Sequence, residues 1–194
     1  MAKIDPRRSW ARFDARLERE PDEVVRGLIM EVRNHMKAEI LGELEPLMAT
    51  LTENPVYHFW GHLPEMTLEG QEAVRGFYTD MMSRGGQQFE VVTENIIADT
   101  GRVVTEGQVR QLYAGEDLAA MGMTEVDGDA LDANGIYLGT NQLITVWPND
   151  GNGKLVGEDI YFGQPVGQVL EKVSANDLAS GFDWHDRWTA PLAA

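Results

Sequence analysis

Apolar positions along the chain repeat with two periods. Over residues 22–41, Val25, Leu28, Ile29, Val32, Met36 and Ile40 fall at helical spacing, with Asp22 placed to cap the first turn and Gly42 to end the helix. Residues 44–51 predict a second, short helix carrying Leu47, Met48 and Leu51. Asn54-Pro55 breaks that pattern, so Val56-Tyr57-His58-Phe59-Trp60 predicts an aromatic-rich strand, and residues 61–67 predict a loop. The helical period returns over residues 69–83, with Ala73, Val74, Phe77, Tyr78, Met81 and Met82 as the inner face and Gly85-Gly86 as the stop.

The strand period dominates residues 89–113, the stretch around which the chain is organised. Phe89, Val91, Thr93, Asn95 and Ile97 share one face of the first run; Val103, Thr105, Gly107, Val109, Gln111 and Tyr113 share one face of the second. Between them Asp99-Thr100-Gly101-Arg102 predicts a tight turn, with Gly101 expected to supply a positive φ. Two further strands follow at residues 137–147 and 154–162, joined by a turn-rich segment over 148–153. The order helix, helix, strand, helix and then four strands predicts an α+β fold, a curved antiparallel sheet forming a cone with three N-terminal helices. Such a cone leaves a cavity suited to a small molecule.

The 194 residues suit one domain, and 43% apolar with 25% charged residues is the composition of an ordinary globule. A formal charge of −16 opposes nucleic acid and anionic membranes as partners. Without cysteine there is no disulfide, thiolate metal site or cysteine nucleophile. No apolar run reaches membrane-spanning length and no signal peptide is visible, so the expected compartment is cytoplasmic. Basic residues gather in 1–22, where Trp10, Phe13 and Leu17 recur at helical spacing; this predicts a helix lying across the main body or a second subunit. Residues 115–135 hold acids without Lys or Arg and read as a solvated insertion, because the calcium-loop spacing is absent.

With these elements in place, the chain resembles the nuclear transport factor 2-like superfamily, in its SnoaL-like branch of small cofactor-free enzymes. The residues that carry the resemblance are the 22–41 helix, Leu47-Met48-Ala49-Thr50-Leu51, Val56-Tyr57, and Glu69-Gly70-Gln71-Glu72-Ala73-Val74. The hairpin segment Gly101-Arg102-Val103-Val104-Thr105-Glu106 and the closing strand from Gly153 to Phe162 complete it. The resemblance implies a cone domain over residues 23–163 interrupted by the 115–135 insertion, an N-terminal extension helix over 1–22 and a C-terminal tail over 164–194. Comparison with the epoxide-hydrolase branch implies that Tyr57, Phe59, Thr105, Gly107, Val109, Gln111, Tyr113, Asn141, Leu143, Val156, Glu158 and Ile160 point inward, subject to strand register. That branch's Arg-x-Asp falls on Gly107 and Val109 and its second Asp on Ile160, so its epoxide-opening groups are missing.

On this register Glu158 is the one carboxylate in an apolar interior, where burial suits it to general acid or base work. Tyr57 can support an oxygen that gains charge, and Asn141 can orient a ligand; these three are the expected catalytic residues. Phe59, Trp60, Tyr78, Thr105, Gln111 and Tyr113 are expected to bind substrate. His58, on the opposite strand face from Tyr57, and His185 in the tail are secondary candidates. His58 and His62 do not converge on a metal, and His35 reads as structural. The expected activity is that of a cofactor-independent lyase that removes water or a carbonyl fragment such as formaldehyde from an apolar, aromatic molecule. The aromatic strand and long termini also evoke the family's formaldehyde-releasing lyases of lignin-derived diaryl compounds. An isomerase, or a non-catalytic ligand-binding or dimerisation module, is the alternative. No metal or other cofactor is expected, and a homodimer is, because Val92, Ile96 and Leu112 are placed on the outer sheet face.

Overall fold

The structure, a computed structural model, describes residues 2–61, 65–164 and 169–189. His62 lies outside them. Helix α1 (Ala11–Leu17) buries Phe13. Helix α2 (Glu23–Leu41) begins where the Asp22 carboxylate accepts from the Val24 and Val25 amides, and it ends at Gly42, whose φ of 72° a glycine adopts without strain. The predicted stripe is buried, and His35 is buried with it.

Helix α3 (Leu44–Ala49) is shorter than predicted, because strand β1 (Leu51–Trp60) starts before Asn54-Pro55 rather than after it. Pro55 is tolerated there because the pairing of β1 with the later strand at Leu155–Phe162 is irregular between Leu51 and Val56, so no ladder bond is lost to its missing N–H. Part of the predicted loop is strand β2 (Met66–Glu69), antiparallel to β1. Helix α4 (Gly70–Ser83) buries Val74 and Tyr78.

The central hairpin is β3 (Glu90–Ala98) and β4 (Arg102–Ala114). Gly101 is not among the glycines with positive φ, contrary to expectation. The turn is held instead by Asp99 Oδ1, which accepts from the amides of Gly101 at 2.7 Å and Arg102 at 3.0 Å. After it come α5 (Gly115–Ala120), the small hairpin β5 (Glu125–Val126) and β6 (Asp129–Ala130), then β7 (Ile136–Pro148), β8 (Leu155–Phe162), β9 (Leu170–Val173) and α6 (Asp186–Thr189). The acidic stretch is therefore partly built into the body: Leu118 is buried, and Arg187 and Lys172 pair with its Glu116, Asp117 and Asp132.

The sheet runs β2-β1-β8-β7-β4-β3, with β9 on the far half of β7. It is not wholly antiparallel as predicted, because β1 and β8 run parallel and place Tyr57 directly beside Glu158. Two irregularities then decide which side chains face inward. Between Thr93 and Asn95 the β3–β4 register shifts, so Ile96 and Ala98 pack on the core and Ile97 stands exposed, the reverse of simple alternation. Gly107 allows this, since a Cβ there would lie 2.0 Å from the Val92 carbonyl oxygen. On β8 both Leu155 and Glu158 are buried, because Gly157 (φ 148°) crosses so close to β1 that a Cβ would sit 1.7 Å from the Val56 carbonyl oxygen.

On the other face of the sheet Leu112 is covered by the chain's own Ile4, Leu138, Val173, Leu178 and Trp188. Neither Ile96 nor Leu112 is thus available to a second subunit on that face. Among the described residues no helix is long and apolar enough to cross a membrane.

Gly157→Ala should lower stability by about 2–3 kcal/mol, through backbone strain rather than lost packing. Gly76→Ala, mid-helix and with nothing within 4 Å of a new Cβ, should instead stabilise, by about 0.5–1 kcal/mol. Urea denaturation of both variants checks this, with the midpoint moving and the slope unchanged.

Candidate functional site

A cavity of about 830 Å³ opens between the inner sheet face and helices α2 and α4, with Phe13 of α1 in its wall. Aromatic and aliphatic side chains make up most of the lining, and one inner pole carries a polar cluster in which Glu39, Tyr57, Tyr78 and Glu158 of the lining meet His35 behind it. Four elements supply them. Helix α2 carries His35 and Glu39 one turn apart, α4 brings Tyr78, β1 brings Tyr57 and β8 brings Glu158.

His35 is fully buried, and its ring is oriented by Thr50. The Thr50 hydroxyl donates to the Leu47 carbonyl at 2.6 Å, so its lone pairs face His35 Nδ1, also at 2.6 Å, and Nδ1 must be the donor of that pair. Nε2 therefore points toward the cavity pole. It lies 3.1 Å from Glu158 Oε1, 3.2 Å from the Tyr78 hydroxyl and 3.3 Å from the Tyr57 hydroxyl. With Nδ1 turned to Thr50, Nε2 is the ring nitrogen that meets Glu158 and the two phenols. Tyr78 also lies within hydrogen-bond distance of Glu158 Oε1 at 3.1 Å and of the Tyr57 oxygen at 3.2 Å. The Trp147 ring meets the imidazole edge-on at 5.6 Å and anchors its own Nε1–H on Thr105 Oγ1.

Burial is the main cause of three perturbed acidities here. The carboxyl of Glu39 is pushed well above the usual carboxylate range by burial and then by the neighbouring Glu158. Both phenols are raised well above their ordinary value, by burial first and Glu158 second, so they remain donors. His35, Glu39 and Glu158 each place one ligand-type atom within 4.8 Å of the other two, and among the described residues they are the set whose spacing a metal ion would also accept.

Of the expected site residues, Tyr57, Glu158, Phe59, Tyr78, Thr105, Gln111 and Tyr113 line the cavity. Asn141 is buried on β7 outside the lining, and its Oδ1 has no hydrogen-bond partner among the described residues. Trp60 lies on the outer face, stacked between His58 and Tyr161, because strand alternation turns it away from Tyr57 and Phe59. His58 is on that face too, paired with Asp159 at 2.6 Å. The tail does fold back, with Trp188 Nε1 donating to the Gly85 carbonyl, but His185 packs on Gly85 and stays out of the lining. Gly107 and Val156 are likewise outside it. Glu158 is not alone, since Glu39 shares its pole. Sequence reasoning missed Glu39, Thr50 and the position of His35. The signal was present in their spacing: His35 follows Leu28 and Val32, and Glu39 follows Val32 and Met36, by seven and three residues.

A family model for the SnoaL-like domain matches residues 32–130. The chain belongs to the SnoaL-like family. Solved structures share the fold of this SnoaL-like chain at low identity. A Jannaschia sp. CCS1 protein assigned as a SnoaL-like polyketide cyclase is 14% identical over 75% of this chain and 91% of its own, with a TM-score of 0.54. A nuclear transport factor 2-like protein from Anabaena variabilis ATCC 29413 is 14% identical over 75% of this chain and 93% of its own, also at 0.54. Bal32a, from a soil-derived mobile gene cassette, is 18% identical over 73% and 92%, at 0.51. No curated protein matches the SnoaL-like chain. At these identities the likeness establishes the fold and leaves the chemistry to the site itself.

Because the Glu39 carboxyl is raised in the folded state, its protonated form stabilises the fold below the ordinary carboxylate range. That stability is lost as pH rises through the raised value. Glu39→Gln should therefore lose less stability than wild type between mildly acidic and alkaline pH. Thermal midpoints of the two proteins across that range measure it, and parallel curves would contradict it.

Proposed function

We propose that this cavity is the active site of a lyase that moves protons on an apolar, aromatic small molecule, with its own side chains supplying the acid and the base. The observation that carries the reading is the meeting of two carboxyl groups from opposite walls, Glu39 on α2 and Glu158 on β8, around one buried imidazole. The two are unequal. Glu158 accepts from the Tyr78 phenol and lies 3.1 Å from His35 Nε2, and is fitted to act as base. Glu39 is biased toward its protonated form and is fitted to act as acid.

Lyase chemistry needs that asymmetry. In an elimination, Glu158 takes a proton from carbon, the C–H pair becomes the new π bond, and the hydroxyl leaves as water with the proton from Glu39. In a retro-aldol cleavage, Glu158 takes the hydroxyl proton and the O–H pair forms the carbonyl of the released fragment, formaldehyde when the alcohol is primary. The C–C pair then passes to the remaining carbon, which takes the proton from Glu39. Tyr57 and Tyr78 hold the oxygen whose charge changes. Phe59, Phe77 and Phe89 offer surfaces for the aromatic rings.

Incubating the protein with a panel of uncharged β-hydroxy aryl compounds, and following products by mass, tests the reaction. Loss of the mass of water or formaldehyde is expected, and an isomer of unchanged mass would make the protein an isomerase instead. Glu158→Gln should reduce turnover by about 10²–10⁴-fold while ligand affinity stays within a few-fold. Equal retention or equal loss of both would point to a ligand-binding module without catalysis.

A further inference from the structure

We infer that His35, Glu39 and Glu158 form a binding site for one divalent transition-metal ion of the zinc class at the inner pole of the cavity. The inference goes beyond the lyase reading. An ion held there would occupy the same two carboxyl groups that the proton chemistry uses, so metal binding and turnover exclude one another.

Donor type and spacing carry it. One imidazole nitrogen and two carboxyl oxygens, without a thiolate, are a set that Zn²⁺ and its first-row neighbours accept, whereas Ca²⁺ and Mg²⁺ prefer oxygen alone. His35 and Glu39 stand one helical turn apart on α2 and so reach the same side, and Glu158 meets them from β8. The three donor atoms lie within 4.8 Å of one another. Two donors on one zinc ion stand about 3.0–3.4 Å apart. His35 Nε2 and Glu158 Oε1 are already at 3.1 Å. Among the described residues no hydrogen bond holds the Glu39 carboxyl, so its rotation can close the remaining distance.

The imidazole is already oriented for this role. Its Nδ1 donates to Thr50 Oγ1, which is itself held by the Leu47 carbonyl, and metal-ligating histidines commit their second ring nitrogen to a protein acceptor in the same way. Nε2 is thereby turned to the carboxyl groups, and the Tyr57 and Tyr78 oxygens stand 3.3 and 3.2 Å from it. The cavity lies beyond, so three protein ligands would leave coordination open to water or to an oxygen of a small molecule. Charge points the same way. Among the described residues lining the cavity, Glu39, Glu65, Asp80 and Glu158 are acidic and Arg84 is the one base. Arg84 is engaged by Asp80, one helical turn before it. Two carboxyl groups therefore meet at an apolar pole with no Lys or Arg of the lining left to them, and a cation is their complement.

Isothermal titration calorimetry of Zn²⁺ into the metal-free full chain tests the site. One ion per chain should bind with a Kd of about 10 μM or tighter, and Mg²⁺ and Ca²⁺ should give no comparable heat. Glu39→Gln keeps the size of a side chain that no hydrogen bond holds, so it should fold and yet weaken Zn²⁺ by at least about tenfold. Glu158→Gln should weaken it as much. Asp159→Asn removes the carboxylate paired with His58 on the outer face and should leave the affinity unchanged. Zinc that binds no better than calcium, or that binds Glu39→Gln as tightly as wild type, overturns the inference. The acidic surface of a chain with formal charge −16 would then account for the binding. A protein that takes zinc here yet converts nothing keeps the site and loses the lyase. One that turns over and takes no zinc keeps the lyase and loses the site.

Discussion

The contact on which the site depends is the hydrogen bond from His35 Nδ1 to Thr50. A buried imidazole can present either nitrogen as donor, and the surroundings decide which. Here the Thr50 hydroxyl donates to the Leu47 carbonyl, so Nδ1 must be the donor of its pair with Thr50, and Nε2 is turned to Glu158 and the phenols. One threonine at the end of a short helix thereby fixes which imidazole nitrogen faces a network spread over α2, α4, β1 and β8. Among apolar walls such a network is stable only if nearly every member finds a partner, and His35, Tyr57, Tyr78 and Glu158 do so mutually. Glu39 has no such set, and burial with the neighbouring Glu158 raises its carboxyl well above the usual carboxylate range.

Delivering Glu158 to that network is a backbone problem. A strand turns alternate side chains to opposite faces, so a slip of one residue would put the carboxylate outside. The parallel pairing of β8 with β1 sets Glu158 against Tyr57, and the close crossing at Gly157 lets Leu155 and Glu158 both face inward. Gly107 plays the matching part opposite the shift in β3, which brings Ile96 and Ala98 to the core. Both glycines are required by backbone approach, since any Cβ at either would collide with a carbonyl oxygen of the next strand.

This explains which parts of the molecule the sequence made legible. Helices α2 and α4 and the central hairpin follow from periodicity, because burial imposes the same spacing on every residue of an element, whereas the inward placing of Tyr57, Phe59, Thr105 and Glu158 came from the resemblance to the epoxide-hydrolase branch. Positions past a bulge do not, because one extra residue inverts the alternation; Ile97, read with Phe89 and Val91, ends up exposed. Trp60 was misplaced for another reason, its aromatic character having outweighed its alternation with Phe59. His35 and Glu39 stood at stripe spacing all along, but an ionisable residue beside an apolar stripe is ordinarily a solvated flank. Only the arrival of Tyr78 and Glu158 from distant parts of the chain gives them partners. The Thr50 contact joins two helices across a glycine turn and has no periodicity to reveal it.

The terminal segments also take part in shaping the cavity. Strand β3 is an edge, and an edge strand left bare exposes unpaired amides and carbonyls. The N-terminal arm covers it: Ser9 Oγ accepts from the Val91 amide at 2.9 Å, and the buried carboxylate of Glu90 takes the Asp5 amide at 2.9 Å and the Arg8 guanidinium at 2.6 Å. Arg110, on the neighbouring strand, faces the same carboxylate at 3.8 Å. Held this way, α1 lays Phe13 into the cavity wall, and Ile4 is gripped with Leu178 and Trp188 of the tail on the opposite sheet face. Loosening of the Glu90 clamp would therefore be felt on both faces of the sheet, as an uncovered edge on one side and an opened wall on the other. In this chain the N-terminal extension is part of the cavity wall through Phe13, while Ile4 and the tail cover the opposite face of the same sheet, so the two ends of the chain brace β4 from both sides.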